Sequence, residues 1–221
     1  MSMCECGAPA QADASCRVAT CATPAKYKSP NRPDVAVRVV RSSEDLMRVV
    51  AVRAVVFMAE QKCPYEEEFD GNDFAGSTHL LAEVSGEPVA TVRLRFFAGF
   101  GHIGRLAVVQ RMRGFGVARA IVTDALSLCA EKGYSRLYAQ AQRRLVPFWR
   151  QFGFEPMDRQ MPGLVWSDHE YVEMCCQIEP SERALDLDRS GPMVLLRPEG
   201  AWSAPGVLEA SAVRGATNPV G

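Results

Sequence analysis

Residues 105–122 read RLAVVQRMRGFGVARAIV. An apolar run suited to a strand breaks at Arg111, Arg113, Gly114 and Gly116. It resumes with helical spacing, Val117, Ile121, Ala125 and Leu128 sharing one face until Lys132-Gly133-Tyr134 ends the pattern. The glycines therefore lie where a strand hands over to a helix. The first N–H groups of a helix have no internal partner and the helix dipole adds partial positive charge, so such a junction attracts phosphate. Glycine at 114 and 116 lets an anion approach the backbone with no Cβ in the way, and Arg111 and Arg113 supply full charge. No Gly-Lys-Ser/Thr follows, which excludes a P-loop, and the dinucleotide GxGxxG is absent. The same glycines would equally serve a tight turn with no ligand.

Working outward, VAVRVV (35–40) predicts a strand, and Ser42 to Asp45 supplies a capping box for a helix through LMRVVAVRAVVFMAEQ. The acidic stretch YEEEFDGND reads as a loop. HLLAEV and VATVRLRFF, joined by SGEP, predict a hairpin, with GHIGRLAVV as the next strand. Beyond the glycine-led helix come the strand LYAQAQ, the short helix LVPFWRQF and a last strand HEYVEMCCQI. The order β-α-loop-β-β-β-α-β-α-β predicts one α/β domain, a mixed central sheet flanked by helices, over residues 35–179.

The flanks differ in composition. Residues 1–34 are rich in Ala, Pro, Ser and Cys and read as a disordered leader, and residues 180–221 read as a flexible tail. MVLLRPEGAWS (193–203) is the one tail segment expected to dock, as an extra strand. Of the eight cysteines, Cys4, Cys6, Cys16 and Cys21 fall in the leader at spacings of no common zinc knuckle, so no metal is expected. A formal net charge of −1 gives no electrostatic reason to expect nucleic acid or a membrane surface. No stretch approaches the ~20 apolar residues of a spanning helix, and no secretion signal opens the chain, so a cytoplasmic protein with reduced thiols is expected. A homodimer is compatible with all of this.

The segment Leu106-Ala107-Val108 followed by Arg113-Gly114-Phe115-Gly116-Val117-Ala118-Arg119 resembles the acyl-CoA signature of the GNAT superfamily of N-acetyltransferases, whose R/Q-x-x-G-x-G/A pattern lands on Arg113, Gly116 and Ala118. Gln142 and the run Phe148-Trp149 to Phe154 are similar to that family's second acyl-CoA segment, and Arg53, Phe57, Glu60 and the acidic loop are similar to its small ElaA-like members. The resemblance covers residues 35–179. It implies acetyl-CoA as donor, with the amides from Gly114 to Arg119 holding the pyrophosphate, Leu106 to Val108 pairing with the pantetheine arm, and Gln142, Phe148 and Trp149 along the cofactor. The Val108 N–H would face the thioester carbonyl as an oxyanion donor. The acceptor would be a small-molecule or peptide amine.

An amine with an ordinary pKa near 10.4 must lose a proton before it attacks. The family's usual glutamate position, four before Val108, is Gly104 here. Histidine stands at 102, where the histone-acetylating branch carries its glutamate. Strand alternation puts His102 on the face of Gly104, Leu106 and Val108, and an ordinary histidine pKa suits a base, so His102 is the candidate; a strand-end histidine with no catalytic role fits its position as well. The tyrosine that often protonates the departing thiolate is replaced by Trp149, which leaves Tyr138 and Tyr171 as candidate acids; each fits equally as a core or rim aromatic. Glu66, Glu67, Glu68, Asp70 and Asp73 cluster in the acidic loop that the resemblance places on the acceptor side, where Glu68 and Asp70 are candidates for a cationic acceptor, although charge runs are often solvated faces. Arg93 would either receive an acceptor carboxylate or pair with that loop. Arg53, Phe57, Glu68-Phe69-Asp70 and Arg93 also echo acyl-homoserine-lactone synthases, which generally lack the signature found here. A non-catalytic acyl-CoA-binding module is the third alternative.

Overall fold

The computed structural model describes residues 33–158 and 164–212; the four leader cysteines lie outside them. Strand β1 (Ala36–Val39) leads into α1 (Ser43–Arg53), capped as expected by Ser42, whose Oγ accepts from the Asp45 N–H at 3.1 Å. The helix continues as a π-helical segment, Ala54–Glu60, and a short α2 (Tyr65–Glu68) lies in what the sequence suggested was all loop. Strands β2 (Ser77–Val84), β3 (Glu87–Phe96) and β4 (Gly101–Val108) form a meander. Its first turn uses Ser85 and Gly86, both at positive φ, as the favoured hairpin turn requires.

Helix α3 (Val117–Glu131) crosses to β5 (Arg136–Gln142), followed by α4 (Val146–Arg150), the short β6 (Glu155–Pro156) and β7 (Leu164–Trp166), and the long β8 (His169–Gln177). The strands form one sheet in the order β1-β2-β3-β4-β5-β8-β6, with β7 on β8. Helix α3 buries Val117, Ile121, Val122, Ala125, Leu128 and Cys129, the stripe its 3.6-residue period foretold. Each fully buried Val, Ile or Leu contributes about 1.5–3 kcal/mol relative to exposure.

Two features of β4 position the site. Among the pairings of the described residues only β4–β5 is parallel, and its register covers just Gly101↔Leu137, His102↔Tyr138 and Ile103↔Ala139. Beyond those pairs the strands part. On its other side β4 carries a bulge: Gly104 lies opposite Arg93 and Ala107 opposite Thr91, so two residues, Arg105 and Leu106, face the single Val92. Arg105 takes up the extra length at φ 51°.

After β8 the chain runs across the end of α3. Ser181 and Leu185 donate N–H groups to the Ala130 and Glu131 carbonyls, at 2.9 and 2.8 Å. The stretch 193–203, expected as a strand, instead begins as α5 (Pro192–Leu195) and continues irregularly toward α6 (Val207–Ala212). Pro192 favours the first turn of a helix, while Pro198 and Gly200 break any extended run. Glu199 accepts from Lys132 Nζ at 2.8 Å, and Arg41 Nη2 donates to its carbonyl at 2.7 Å.

Candidate active site

Where β4 and β5 part, a cleft of about 380 Å³ opens. Its walls include Phe57, Gln61, Glu68, Asp70, Arg93, His102, Gly104, Arg105, Leu106, Gln140, Gln142, Leu145, Trp149, Trp166 and Tyr171. The backbone of Val108 faces this opening. The Val109 N–H donates to Val89 O at 3.0 Å, and N–H groups alternate sides along a strand, so the Val108 N–H points away from β3, toward the gap. Its carbonyl points the same way and accepts from Arg113 Nε at 3.0 Å.

At the top of the gap, Gly114 and Gly116 have φ of 85° and 83°, a backbone that L side chains rarely adopt. Gly116 is the N-cap of α3 and supplies no side-chain cap, so the first-turn N–H groups of Val117, Ala118 and Arg119 meet no capping side chain. A Cβ built on Gly114 would meet nothing within 4 Å, so conformation, not crowding, calls for glycine there. Arg113 also pairs with Glu60 at the end of the π-helical segment, and Arg119 with Gln151.

His102 lies in the cleft with an environment unlike that of an ordinary histidine. Burial, then the guanidinium groups of Arg93, Arg95 and Arg105, lower its pKa from 6.5 to about 4. The expectation of an ordinary histidine pKa is thus corrected: the imidazole is neutral at pH 7 and holds a proton weakly. Its ring sits over Gly104, where an added Cβ would lie 3.2 Å from His102 Cε1. The expected alternation also fails. Cross-strand neighbours share a face, so Ala107 (opposite Thr91) joins His102 and Gly104, while Val108 (opposite Ala90) turns its side chain away. The bulge shifts side-chain parity but leaves the Val108 N–H in the sheet plane, aimed at the gap.

The two tyrosines part company. Tyr171 lines the cleft and accepts from Gln142 Nε2 at 3.2 Å. Tyr138 pairs with His102 in the closed part of the ladder and its hydroxyl donates to Glu173 Oε1 at 2.6 Å. Gln142 also reaches Gln61 Oε1 at 2.9 Å, tying β5 to the end of α1 and its π extension. Trp149 is buried edge-on against Phe148 and Phe154 while still lining the cleft.

The acidic loop is not a free anionic surface. Arg53, fully buried, binds Glu68 through Nε and Asp73 through Nη1 at 2.5 Å. Arg93, 3% exposed, takes Asp70 with both terminal nitrogens and reaches Asp73 at 2.9 Å. Burial acts to raise the Asp70 and Asp73 pKa values, but the bonded arginines win and hold both carboxyls below the usual range; at Glu68 burial wins and pushes the carboxyl up. Of the two readings of Arg93, pairing with the loop is the one found. Sequence reasoning missed Arg105 and the cleft wall of Gln61, Trp166 and Ser167; Arg105 gave no signal, because alternation assigns it to the opposite face.

The sequence model of the Acetyltransferase (GNAT) family matches residues 47–154. The N-acetyltransferase YjcF of Bacillus subtilis (strain 168) is 30% identical over 122 residues, spanning 55% of this chain and 86% of its own length. The chain belongs to the GNAT family. Among the relatives of this GNAT chain, the protein ElaA of Escherichia coli (strain K12) is 31% identical over 121 residues, covering 52% of this chain and 78% of ElaA. The crystal structure of E. coli ElaA superposes with a TM-score of 0.57 at 26% identity, covering 65% of this chain and 99% of ElaA. An acyl-CoA N-acyltransferase of Pseudomonas aeruginosa gives 0.56 at 27% identity, with coverage of 65% and 99%. This GNAT protein is therefore an acyltransferase of the ElaA-like group. Among the described residues no group of three or more His, Cys, Asp or Glu is placed to hold a metal, and no helix is long and apolar enough to cross a membrane.

Proposed function

We propose that this GNAT protein transfers an acetyl group from acetyl-CoA to a primary amine of a small molecule or peptide by direct attack within a ternary complex. The observation that carries this reading is the Val108 N–H, turned away from β3 into the gap where β4 and β5 part. Acetyl-CoA supplies the acetyl group as a thioester, and the residues present fit it. The opened strand edge can pair with an extended amide-bearing arm, and the uncapped α3 start with Gly114 and Gly116 at positive φ suits a pyrophosphate. Gln142, Phe148 and Trp149 would flank the arm.

Catalysis on this reading is mostly positioning, since two bound reactants held in line lose their independence before the reaction. A fixed donor at Val108 favours the charge that develops on the carbonyl oxygen. His102, neutral and seated over Gly104, passes the amine proton toward solvent rather than storing it. The thiolate, with a pKa near 8.5–9 for an ordinary thiol, leaves without a dedicated acid or takes a proton from Tyr171. Calorimetric titration with acetyl-CoA, controlled by acetate and adenosine 3′,5′-bisphosphate, tests the proposal. Micromolar binding that needs the whole cofactor is expected, and absence of binding would overturn it.

A further inference from the structure

Alternation along β4 would send Arg105 to the face opposite His102, yet the bulge turns it into the cleft. The left-handed backbone at φ 51° costs a non-glycine residue about 1–2 kcal/mol, and bulges beside active sites commonly re-aim one side chain. The aimed side chain is only partly committed. Its Nη2 donates to the Glu67 carbonyl at 2.6 Å and to Asp70 Oδ2 at 3.2 Å. Its buried Nε lies 3.3 Å from Glu68 Oε2 without a hydrogen bond, and none of these contacts uses Nη1. Arg93, opposite Gly104 on the same cleft wall, likewise holds a buried Nε with no acceptor.

The charges around it sort into two sets. Glu68, Asp70 and Asp73 are matched by Arg53, Arg93 and Arg105. Glu66 and Glu67 are exposed cleft residues outside that balance, and among the described residues the Glu67 carboxylate accepts from a neutral group, Ser167 Oγ, at 2.6 Å. A guanidinium edge and unmatched carboxylates thus lie side by side on the cleft wall, Arg105 bonding the Glu67 backbone itself. Arg105 precedes Val108 by three residues, at most about 10 Å of strand, a span that an arginine side chain and a short ligand can bridge.

Building on the acetyl transfer proposed above, we infer that the acceptor is an amino acid or an amino-acid-like zwitterion whose carboxylate is received by Arg105. Its ammonium group approaches along Glu66 and Glu67 before deprotonation. Arg105 is then the residue that separates amino acids from simple amines.

The experiment compares a panel of amino acids with their matching amides, which keep the amine and lose the carboxylate. Calorimetric binding to the CoA-loaded full chain and acetyl transfer from acetyl-CoA are both read. Amino acids should bind and react at least ~10-fold better than their amides, and Arg105→Gln should raise KM for the acid ~10–100-fold more than for the amide, as loss of a charge-assisted hydrogen bond implies. Arg105→Gly, which suits the positive φ, gives the same comparison should the glutamine variant fold poorly. Preference for amides or alkylamines, or equal weakening of acid and amide in the variants, would overturn the inference and leave Arg105 as a clamp on the loop. Failure of acetyl-CoA to bind would sink the transfer reaction instead, and acid-versus-amide binding to the CoA-free protein would still decide the role of Arg105.

Discussion

Arg93 on β3 grips the Asp70 carboxylate with both terminal nitrogens, at 2.8 and 2.6 Å, while its Nη1 also reaches Asp73 at 2.9 Å. Together with Arg53 this bond pins the loop after α2 across the sheet and makes it one wall of the cleft. The acidic run YEEEFDGND is therefore partly interior, and the carboxylates of Glu68, Asp70 and Asp73 are structural before they are anything else.

Removing one member of that network leaves the others buried and uncompensated. Arg53→Met should destabilise the fold by about 3–5 kcal/mol, read from urea denaturation. The exposed pair Arg143–Glu170, 2.6 Å apart with side chains 68% and 64% exposed, is the control, and Arg143→Ala should leave the midpoint where it is. Similar effects at the two sites would contradict the assigned burial of Arg53.

Ala118→Glu places a carboxylate in the first turn of α3, where the helix dipole favours it but a pyrophosphate would be repelled. Acetyl-CoA affinity should fall at least ~10-fold, an estimate from the strength of charged contacts, with the melting temperature unchanged or raised. Unchanged affinity by calorimetry would separate the glycine turn from cofactor binding. This variant is cleaner than a substitution at Gly116, whose φ of 83° would add backbone strain.

His102 has a folded-state pKa of about 4 against its ordinary 6.5, so the folded protein resists protonating it. The stability this provides is complete above pH 6.5 and is lost as pH falls toward 4; His79, also lowered by burial, acts in the same direction. Unfolding midpoints between pH 7 and 4.5 should fall more steeply for the native protein than for His102→Gln. Equal slopes would remove His102 as the source.

The same depression shapes the activity profile. His102 is already neutral at every ordinary assay pH, so kcat/KM should rise with the acceptor amine's own proton loss and show no inflection near 6.5. A limb near 6.5 that vanishes in His102→Ala would instead restore a base of ordinary strength.

Gly200, at φ 71°, passes so close to β1 that an added Cβ would lie 2.7 Å from Val39 Cγ2. Gly200→Ala should cost about 1–3 kcal/mol from left-handed strain and crowding, measured by thermal melting. A neutral result would mean that the segment after β8 contributes little to the stability of the sheet it crosses.

Much of this architecture was legible in the chain because it follows local rules. The apolar stripe of α3, the Ser42 cap, the hairpin between β2 and β3 and the glycine-led turn are each written in a few neighbouring residues, through helical period, hydrogen-bonding side chains and glycine's freedom at positive φ. The family pattern from Leu106 to Arg119 is equally local. What tertiary structure decided depends on partners far away in sequence. Arg53, Glu68, Asp73 and Arg93 become one buried network only when β3 meets the loop after α2, and no spacing rule announces that meeting. The pKa of His102 drops because folding buries it among three arginines. The bulge at Arg105 appears only when β4 is laid against β3 with one residue too many, and that single residue reverses which side chains enter the cleft. Local pattern was enough to place the backbone of the site, whereas the charges that select an acceptor were set by register and burial.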